Sequence, residues 1–281
     1  MEPAEVEKCF EVAMRLVKEA GKVVREAIKE QKNIETKTSC VDLVTESDKA
    51  VEKLLIEGLT QAFPGHKFIG EETTADTGSK CVLTDDPTWI IDPIDGTMNF
   101  VHSLPYTCVS VGLWTGRTGQ IGIVYNPVLE QMFTAKKGGG AFLNGERIHV
   151  SGCKDLSQAL VFAEMGTSLD PEKVKTVLTN LTTLMPRVHG LRAMGSCALN
   201  LCMVAAGFAD GTFEFGIHAW DTAAAAVVVA EAGGAVLDTA GGEFDIMRRR
   251  VLCAATPELA QAIAGLLKQF QPTPDGDLLT C

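Results

Sequence analysis

Apolar residues recur at helical spacing from residue 5 to residue 29, where Val6, Cys9, Phe10, Ala13, Leu16, Val17, Ala20, Val23, Val24 and Ala27 stand among Lys and Glu. That stripe predicts a long amphipathic helix whose role is core packing. A polar loop with Lys37 follows, and Val41-Asp42-Leu43-Val44-Thr45-Glu46-Ser47-Asp48 leads into a second amphipathic helix that runs to Phe63 and is broken by Pro64-Gly65. Thr45-x-x-Asp48 has the form of a capping box, which accounts for Asp48 without catalysis. His66 to Gly70 predicts a short strand that delivers Glu71 and Glu72, and the Thr- and Gly-rich residues 73 to 80 predict a mobile loop, a flap over a site. Trp89, Ile90 and Ile91 are bulky and β-branched, a buried strand that Asp92 ends.

From Tyr106 to Phe142 the period shortens to that of strands: Thr107 to Trp114, Gln120 to Tyr125 and Gln131 to Ala135, separated by turns with Gly and Pro. This is the pattern of an antiparallel meander. The second half alternates. Strands are predicted at Ala159 to Ala163, Arg187 to His189, Gly211 to Phe215, Ala235 to Leu237 and Val251 to Ala254. Helices are predicted at Pro171 to Leu184, Cys197 to Ala206, Asp221 to Ala232 and Pro257 to Phe270. The alternation implies a layered α/β arrangement. We read one unit over residues 1–281, with halves at 1–150 and 151–270 and a frayed tail, rich in Pro and Gly, at 271–281.

The stretch Trp89-Ile90-Ile91-Asp92-Pro93-Ile94-Asp95-Gly96-Thr97-Met98-Asn99-Phe100 is where chemistry enters. In a continuous strand Asp92 and Asp95 would point to opposite faces. Pro93 cannot extend the ladder and Gly96 permits unusual backbone angles, so a turn can bring both carboxylates to one side. Thr97 is placed to cap a short helix through Met98 to His102, whose first amides would face the same space. Two hard oxygen ligands beside such a helix start point to a divalent metal gripping a phosphate. A turn with two solvated aspartates is the alternative.

Composition narrows the choice. The 281 residues are 46% apolar, enough for a sizeable core, and no apolar run approaches the roughly 20 residues of a membrane span. The formal net charge of -11 argues against a nucleic-acid binder, and it suits an anionic substrate only if cations sit among the acids. Nine cysteines without a CxxC pair read as free thiols, and MEPAEVEKCFEVAM lacks a signal-peptide pattern, so the cytoplasm is expected. Lys136-Lys137-Gly138-Gly139-Gly140 lacks the order of a phosphate loop and reads as a hairpin turn.

Three places in the second half could join a site. Gly195-Ser196-Cys197 opens a helix with amides free for an anion, or with ordinary capping. Glu214 lies between Phe213 and Phe215, where a buried carboxylate wants a partner. Asp221, in the first turn of the Ala-rich helix, is a dipole-complementing cap or a metal ligand.

Taken together, Trp89-x-x-Asp92-Pro93-Ile94-Asp95-Gly96-Thr97-x-x-Phe100-x-His102 and Trp220-Asp221-x-Ala223-Ala224-Ala225, followed by Glu231-Ala232-Gly233-Gly234, resemble the inositol monophosphatase family of metal-dependent, lithium-sensitive phosphatases. Asp42-Leu43-Val44-Thr45 leading to Asp48, Ile69-Gly70-Glu71-Glu72 and Gly216-Ile217-His218 support it. The resemblance implies an alternating α-β-α-β-α sandwich of the inositol monophosphatase and fructose-1,6-bisphosphatase type, a homodimer, and hydrolysis of inositol monophosphates feeding inositol recycling for phosphatidylinositol signalling. It implies that Glu71, Asp92 and the Ile94 carbonyl hold one Mg²⁺, that Asp92, Asp95 and Asp221 hold a second, and that a third, looser ion leans on Glu71. The Gly96 and Thr97 amides would face the phosphate. The Thr97 hydroxyl, polarised by Asp48, would with Glu71 orient a metal-activated water. Ile94, Asp95 and Asp221 would also border the substrate, whose hydroxyls would meet Glu214, Thr167 and the backbone of Gly195, Ser196 and Cys197. Lithium would inhibit by taking the second metal position. Thr167, Cys197, Ala219 and Met98 depart from the family's more usual Ser, Ala, Cys and Thr, and none of these removes a metal ligand. Bisphosphatases of fructose 1,6-bisphosphate or 3′-phosphoadenosine 5′-phosphate, and a silent metal-binding scaffold, are the alternatives; Glu214 favours a neutral polyol over a second phosphate.

Overall fold

A computed structural model describes residues 1–30, 34–36, 43–77 and 82–277 of the chain; Lys37, Val41, Asp42 and the end of the expected 73–80 loop lie outside them. The long N-terminal stripe forms α1 (Pro3–Ala27), and α2 (Glu46–Ala62) follows the small antiparallel pair β1 (Ile34–Thr36) and β2 (Leu43–Thr45). Thr45 and Asp48 form the expected capping box, with Asp48 Oδ2 accepting from the Thr45 amide at 2.8 Å.

A seven-stranded sheet runs in the order β3 (Lys67–Gly70), β4 (Pro87–Asp95), β5 (Cys108–Thr115), β6 (Thr118–Asn126), β7 (Gln131–Lys136), β8 (Gly140–Leu143) and β9 (Glu146–Ile148). β3 and β4 are parallel and the remainder is the antiparallel meander. A five-stranded mixed sheet carries β10 (Leu160–Ala163), β11 (Gly190–Arg192), β12 (Gly211–Phe215), β13 (Ala235–Leu237) and β14 (Arg250–Ala254), in the order β11-β10-β12-β14-β13.

Alternation of side chains builds the layers. Trp89, Ile91, Val109 and Val111 face a core shared with α1 and α2, whereas Ile90 and Cys108 face a second core shared with α6 (Cys197–Ala205) and α7 (Ala219–Glu231). The same two helices reach Val251 and Cys253 of the smaller sheet, whose far face meets Leu184 of α5 (Pro171–Leu184) and Leu259 and Ile263 of α8 (Pro257–Ala264). The result is five layers, α-β-α-β-α. A helix buried between two sheets is apolar on every side, which is why α7 from Ala223 to Ala230 is only Ala and Val. Gly112 and Gly122 let it come close: a Cβ at Gly122 would meet the Ala224 carbonyl oxygen at 2.1 Å, and Trp114 Nε1 donates to the Ala223 carbonyl at 3.0 Å.

Several boundaries differ from those expected. Residues 73–77, expected as loop, belong to the helix α3 (Glu71–Thr77). Its first amides are capped from a distance, since Glu52 of α2 accepts from the Glu72 and Thr73 amides, each at 2.7 Å. The strand expected at Arg187 to His189 lies instead at Gly190–Arg192, where pairing with Leu160–Phe162 sets its register. α8 stops at Ala264 rather than Phe270, because Asn180 of α5 holds the Lys268 amide and carbonyl at 2.7 and 2.9 Å and draws the chain off the helical path. Nor is the tail frayed as far as Asp275, which is buried at the start of α7.

Candidate active site

Asp92 does not end its strand. β4 continues to Asp95 through a bulge, with Asp92 opposite Ser110 and Asp95 opposite Cys108, so the three-residue step on β4 spans only two residues on β5. The extra residue restores side-chain parity and puts both carboxylates on the face toward α6 and α7. Pro93 has no amide to lose from the ladder, and the Ile94 amide donates to Asp92 Oδ1 at 3.0 Å. The turn expected from Pro93 and Gly96 is thus a bulge followed by Gly96, whose φ of 85° makes it the N-cap of α4 (Thr97–Val101). Thr97 is the first helical residue rather than the cap, and its hydroxyl donates to the Ile94 carbonyl at 3.1 Å rather than to Asp48.

α7, seated on the glycines of β5 and β6, carries Asp221 to the same place. One oxygen of Asp221 caps its own helix by accepting from the His218 amide at 2.5 Å. Ligand oxygens of Asp92, Asp95 and Asp221 all lie within 4.8 Å of one another. Glu71, at the carboxyl end of β3, stands near enough to Asp92 to push its pKa upward. Burial, then Glu71, Asp95 and Asp221, holds Asp92 well above the usual carboxylate range. Asp221 is pushed up by burial, then by Asp95 and Glu71. Asp95 is raised by burial to about 6, with the Ser196 hydroxyl and the Ala198 and Cys197 amides acting against the shift. Like charges are gathered here, among the described residues no ammonium or guanidinium forms an ion pair with Asp92, Asp95 or Asp221, and burial would cost each heavily in isolation. Hard oxygen donors at this spacing fit divalent cations of the Mg²⁺ type.

A profile of the inositol monophosphatase family matches residues 5–271. The chain belongs to the inositol monophosphatase family. Inositol monophosphatase 1 of Bos taurus is 47% identical over 269 residues, covering 95% of this chain and 96% of that one. Inositol monophosphatase 2 of Homo sapiens is 49% identical over 263 residues, covering 93% and 91%. Among solved structures, the extragenic suppressor protein suhB of Bartonella henselae superposes with a TM-score of 0.83 at 31% identity, over 92% of this chain and 98% of that one.

In this inositol monophosphatase family member the remaining expected residues divide. The amides opening α6 are not free for a substrate anion. Ser196 Oγ and the Ala198 amide donate to Asp95 Oδ2 at 2.5 and 2.8 Å, and the Gly195 amide donates to Glu164 Oε1 at 3.1 Å. The anion held by this helix start is therefore the protein's own Asp95. Cys197 is buried, Glu214 stands near Glu164 and Asp221, and Thr167 is exposed on the loop between β10 and α5. Burial, then Glu164 and Asp221, keeps Glu214 well above the usual range. Ser196 thus serves as a support for Asp95 and as the cap of α6, accepting from the Leu199 amide.

Some functional neighbours carried no readable signal. Glu164 binds the Met194 amide and Asn200 Nδ2, both at 2.7 Å, and Asn99 Nδ2 donates to the Tyr106 and Met194 carbonyls, both at 2.8 Å. Asp275 joins the tail to α7: Oδ1 meets His218 Nδ1 at 2.6 Å and Oδ2 accepts from the Ala219 amide at 2.9 Å. Arg249 closes the cluster with Nε 3.6 Å from Asp275 Oδ1 and Nη2 donating to the Gly216 carbonyl at 2.9 Å. His218 stacks on Trp220 at 4.4 Å. Removing one member of a buried charged cluster strands the others, so Asp275→Ala is expected to lower unfolding free energy by about 3 kcal/mol. Urea denaturation checks this, and a variant as stable as the parent would show that the tail is only resting on the surface.

Proposed function

We propose that this chain hydrolyses myo-inositol monophosphates to inositol and phosphate with Mg²⁺ as its cofactor. The observation that carries the reading is the acidic set Asp92, Asp95 and Asp221, the first two buried, with Glu71 beside Asp92. The relatives' names supply the substrate class. Glu71, Asp92 and the Ile94 carbonyl would hold one ion and Asp92, Asp95 and Asp221 a second; a third would lean more loosely on Glu71. Bound there, such ions acidify water and neutralise charge on the phosphoryl oxygens, which an inert monoester requires.

The chain's own groups do the rest. Glu71, only partly buried, accepts a hydrogen bond from the attacking water and orients it, with the Thr97 hydroxyl as its neighbour. The hydroxyl would have to leave the Ile94 carbonyl to do so. Asp48 anchors the start of α2 through Thr45 and supports that wall of the site. The Gly96 and Thr97 amides would face the phosphate. With the Gly195 amide and the α6 amides engaged by Glu164 and Asp95, recognition of the polyol falls chiefly to Glu214 and Thr167.

Phosphate release from inositol 1-phosphate, fructose 1,6-bisphosphate and 3′-phosphoadenosine 5′-phosphate, each with Mg²⁺, with EDTA and with Mg²⁺ plus Li⁺, tests the reading. Preference for inositol 1-phosphate, dependence on Mg²⁺ and suppression by Li⁺ are expected. Li⁺ is small and oxygen-seeking but carries too little charge to stabilise a leaving oxygen at the second position. Faster release from a bisphosphate would overturn the polyol assignment, and undiminished activity at high Li⁺ would overturn the second-position argument.

We also propose a homodimer. Val174 and Leu178 lie exposed on α5 and Met185 at its C-cap, with Met165 and Leu169 exposed in the loop before it, a group of large apolar side chains that water disfavours. Sedimentation equilibrium should return twice the chain mass of 30.0 kDa; a monomer at micromolar concentration would refute it. A cytoplasmic setting fits the six described cysteines, all unpaired, and no helix among the described residues is long and apolar enough to cross a membrane.

A further inference from the structure

Lys173 stands in the first turn of α5, with its amide capped by Asp170 Oδ1 at 3.0 Å. Its side chain is 3% exposed. A cation in the first turn opposes the helix dipole, and a buried ammonium is costly unless something accepts its hydrogen bonds. Stability alone would favour Met or Leu here. Yet the ammonium makes no hydrogen bond or ion pair with any described residue.

Its position gives the reason. A Cβ built on Gly166 would lie 2.5 Å from Lys173 Nζ and 3.8 Å from Glu214 Oε1, and one built on Gly216 would lie 2.9 Å from the same Nζ. The ammonium therefore occupies room that only two bare backbone turns leave open, beside the Glu214 carboxylate but not in a direct ion pair with it. Glu214 is the residue assigned above to the polyol, and Gly166 adjoins Thr167, the other. An ammonium offers three donors and no acceptor, and a carboxylate offers acceptors only. A hydroxyl group satisfies both at once, accepting from nitrogen and donating to oxygen.

We propose that Lys173 is a specificity-determining residue of the polyol end of the site, donating to a substrate hydroxyl oxygen whose proton is given in hydrogen bonding to Glu214. The assignment rests on the inositol-phosphate reading above. Electrostatics agree, because Lys173 opposes the upward push that burial, Glu164 and Asp221 exert on Glu214. Burial lowers the pKa of Lys173 in turn, and Glu214 acts against that shift.

The test compares the parent enzyme with Lys173→Met and Lys173→Gln on inositol 1-phosphate and on 4-nitrophenyl phosphate, which has no alcohol hydroxyl, both with saturating Mg²⁺. Loss of a charge-assisted hydrogen bond should lower kcat/KM for inositol 1-phosphate about tenfold more than for 4-nitrophenyl phosphate, chiefly through KM. The effect should be non-additive with that of Glu214→Gln. Thermal melting without substrate separates a structural role: Lys173→Met should melt at the parent temperature or above it, since a buried charge has gone. Equal losses on both substrates, additivity with Glu214→Gln, or a lower melting temperature in both variants would overturn the assignment. The substrate reading is judged separately on the parent enzyme. Turnover of 4-nitrophenyl phosphate without turnover of inositol 1-phosphate overturns that reading before any variant is made.

Discussion

Asp92→Asn is expected to lower kcat by about 10³-fold or more, because it removes one charge from the position shared by both proposed cation sites. The substitution is nearly isosteric, and the amide oxygen can still accept from the Ile94 amide, so the bulge in β4 should persist. That makes the loss chemical rather than structural. A second consequence runs opposite in sign. In EDTA, Asp92 stands buried against Glu71, Asp95 and Asp221, and replacing it with a neutral group relieves repulsion, so the variant should melt higher than the parent. With Mg²⁺ the order should reverse, since the parent gains binding free energy that the variant lacks. Turnover together with melts in EDTA and in Mg²⁺ checks both halves; parental turnover in the variant would remove Asp92 from the site.

Metal removal should show the same balance as a pH dependence. Asp95 is raised to about 6, and Asp92 and Asp221 are raised as well. A carboxyl whose pKa is higher folded than unfolded binds its proton more tightly in the native state. Its contribution is complete below the unfolded value of about 4 and is lost as pH rises through the folded value. In EDTA the melting temperature should therefore fall from pH 5 to pH 8, with Asp95 alone contributing about 1 kcal/mol to the decline over that window. Mg²⁺ should restore the loss most strongly at pH 8, because ionised carboxylates bind it without proton competition. Catalysis in EDTA should drop to background. A melting temperature that is flat with pH in EDTA would mean that the carboxylates are already compensated by protein groups.

Much of this site was legible. Asp92 and Asp95 follow and Asp221 precedes an unmistakable apolar run, and Asp221 appears in the first turn of the helix expected to carry it, with Glu71 at the end of β3, although β4 runs on past Asp92 to Asp95. The capping box at Thr45 and Asp48 was readable because both partners lie within one helical turn. The hairpin at 136–140 and the meander around it were readable for a similar reason, since strand period and turn residues are local. Other features depended on partners far along the chain. Residues 71–77 fold as a helix because Glu52 caps it, α8 ends where Asn180 captures Lys268, and the amides of α6 are taken by Asp95 across a separation of 103 residues. Asp275 looked like part of a loose tail.

By itself the sequence determined the layered class, the order of most elements, and which carboxylates stand at strand and helix ends, because periodicity and capping act over one or two turns. The tertiary structure alone decided which groups those carboxylates meet. A bulge fixes the parity of Asp92 and Asp95, glycines on two strands let α7 carry Asp221 inward, and burial turns Lys173 and Asp275 from surface charges into buried ones beside the half-buried Glu214 and Asp221. Burial and distance belong to the packed chain, and the electrostatics of a site depend on both.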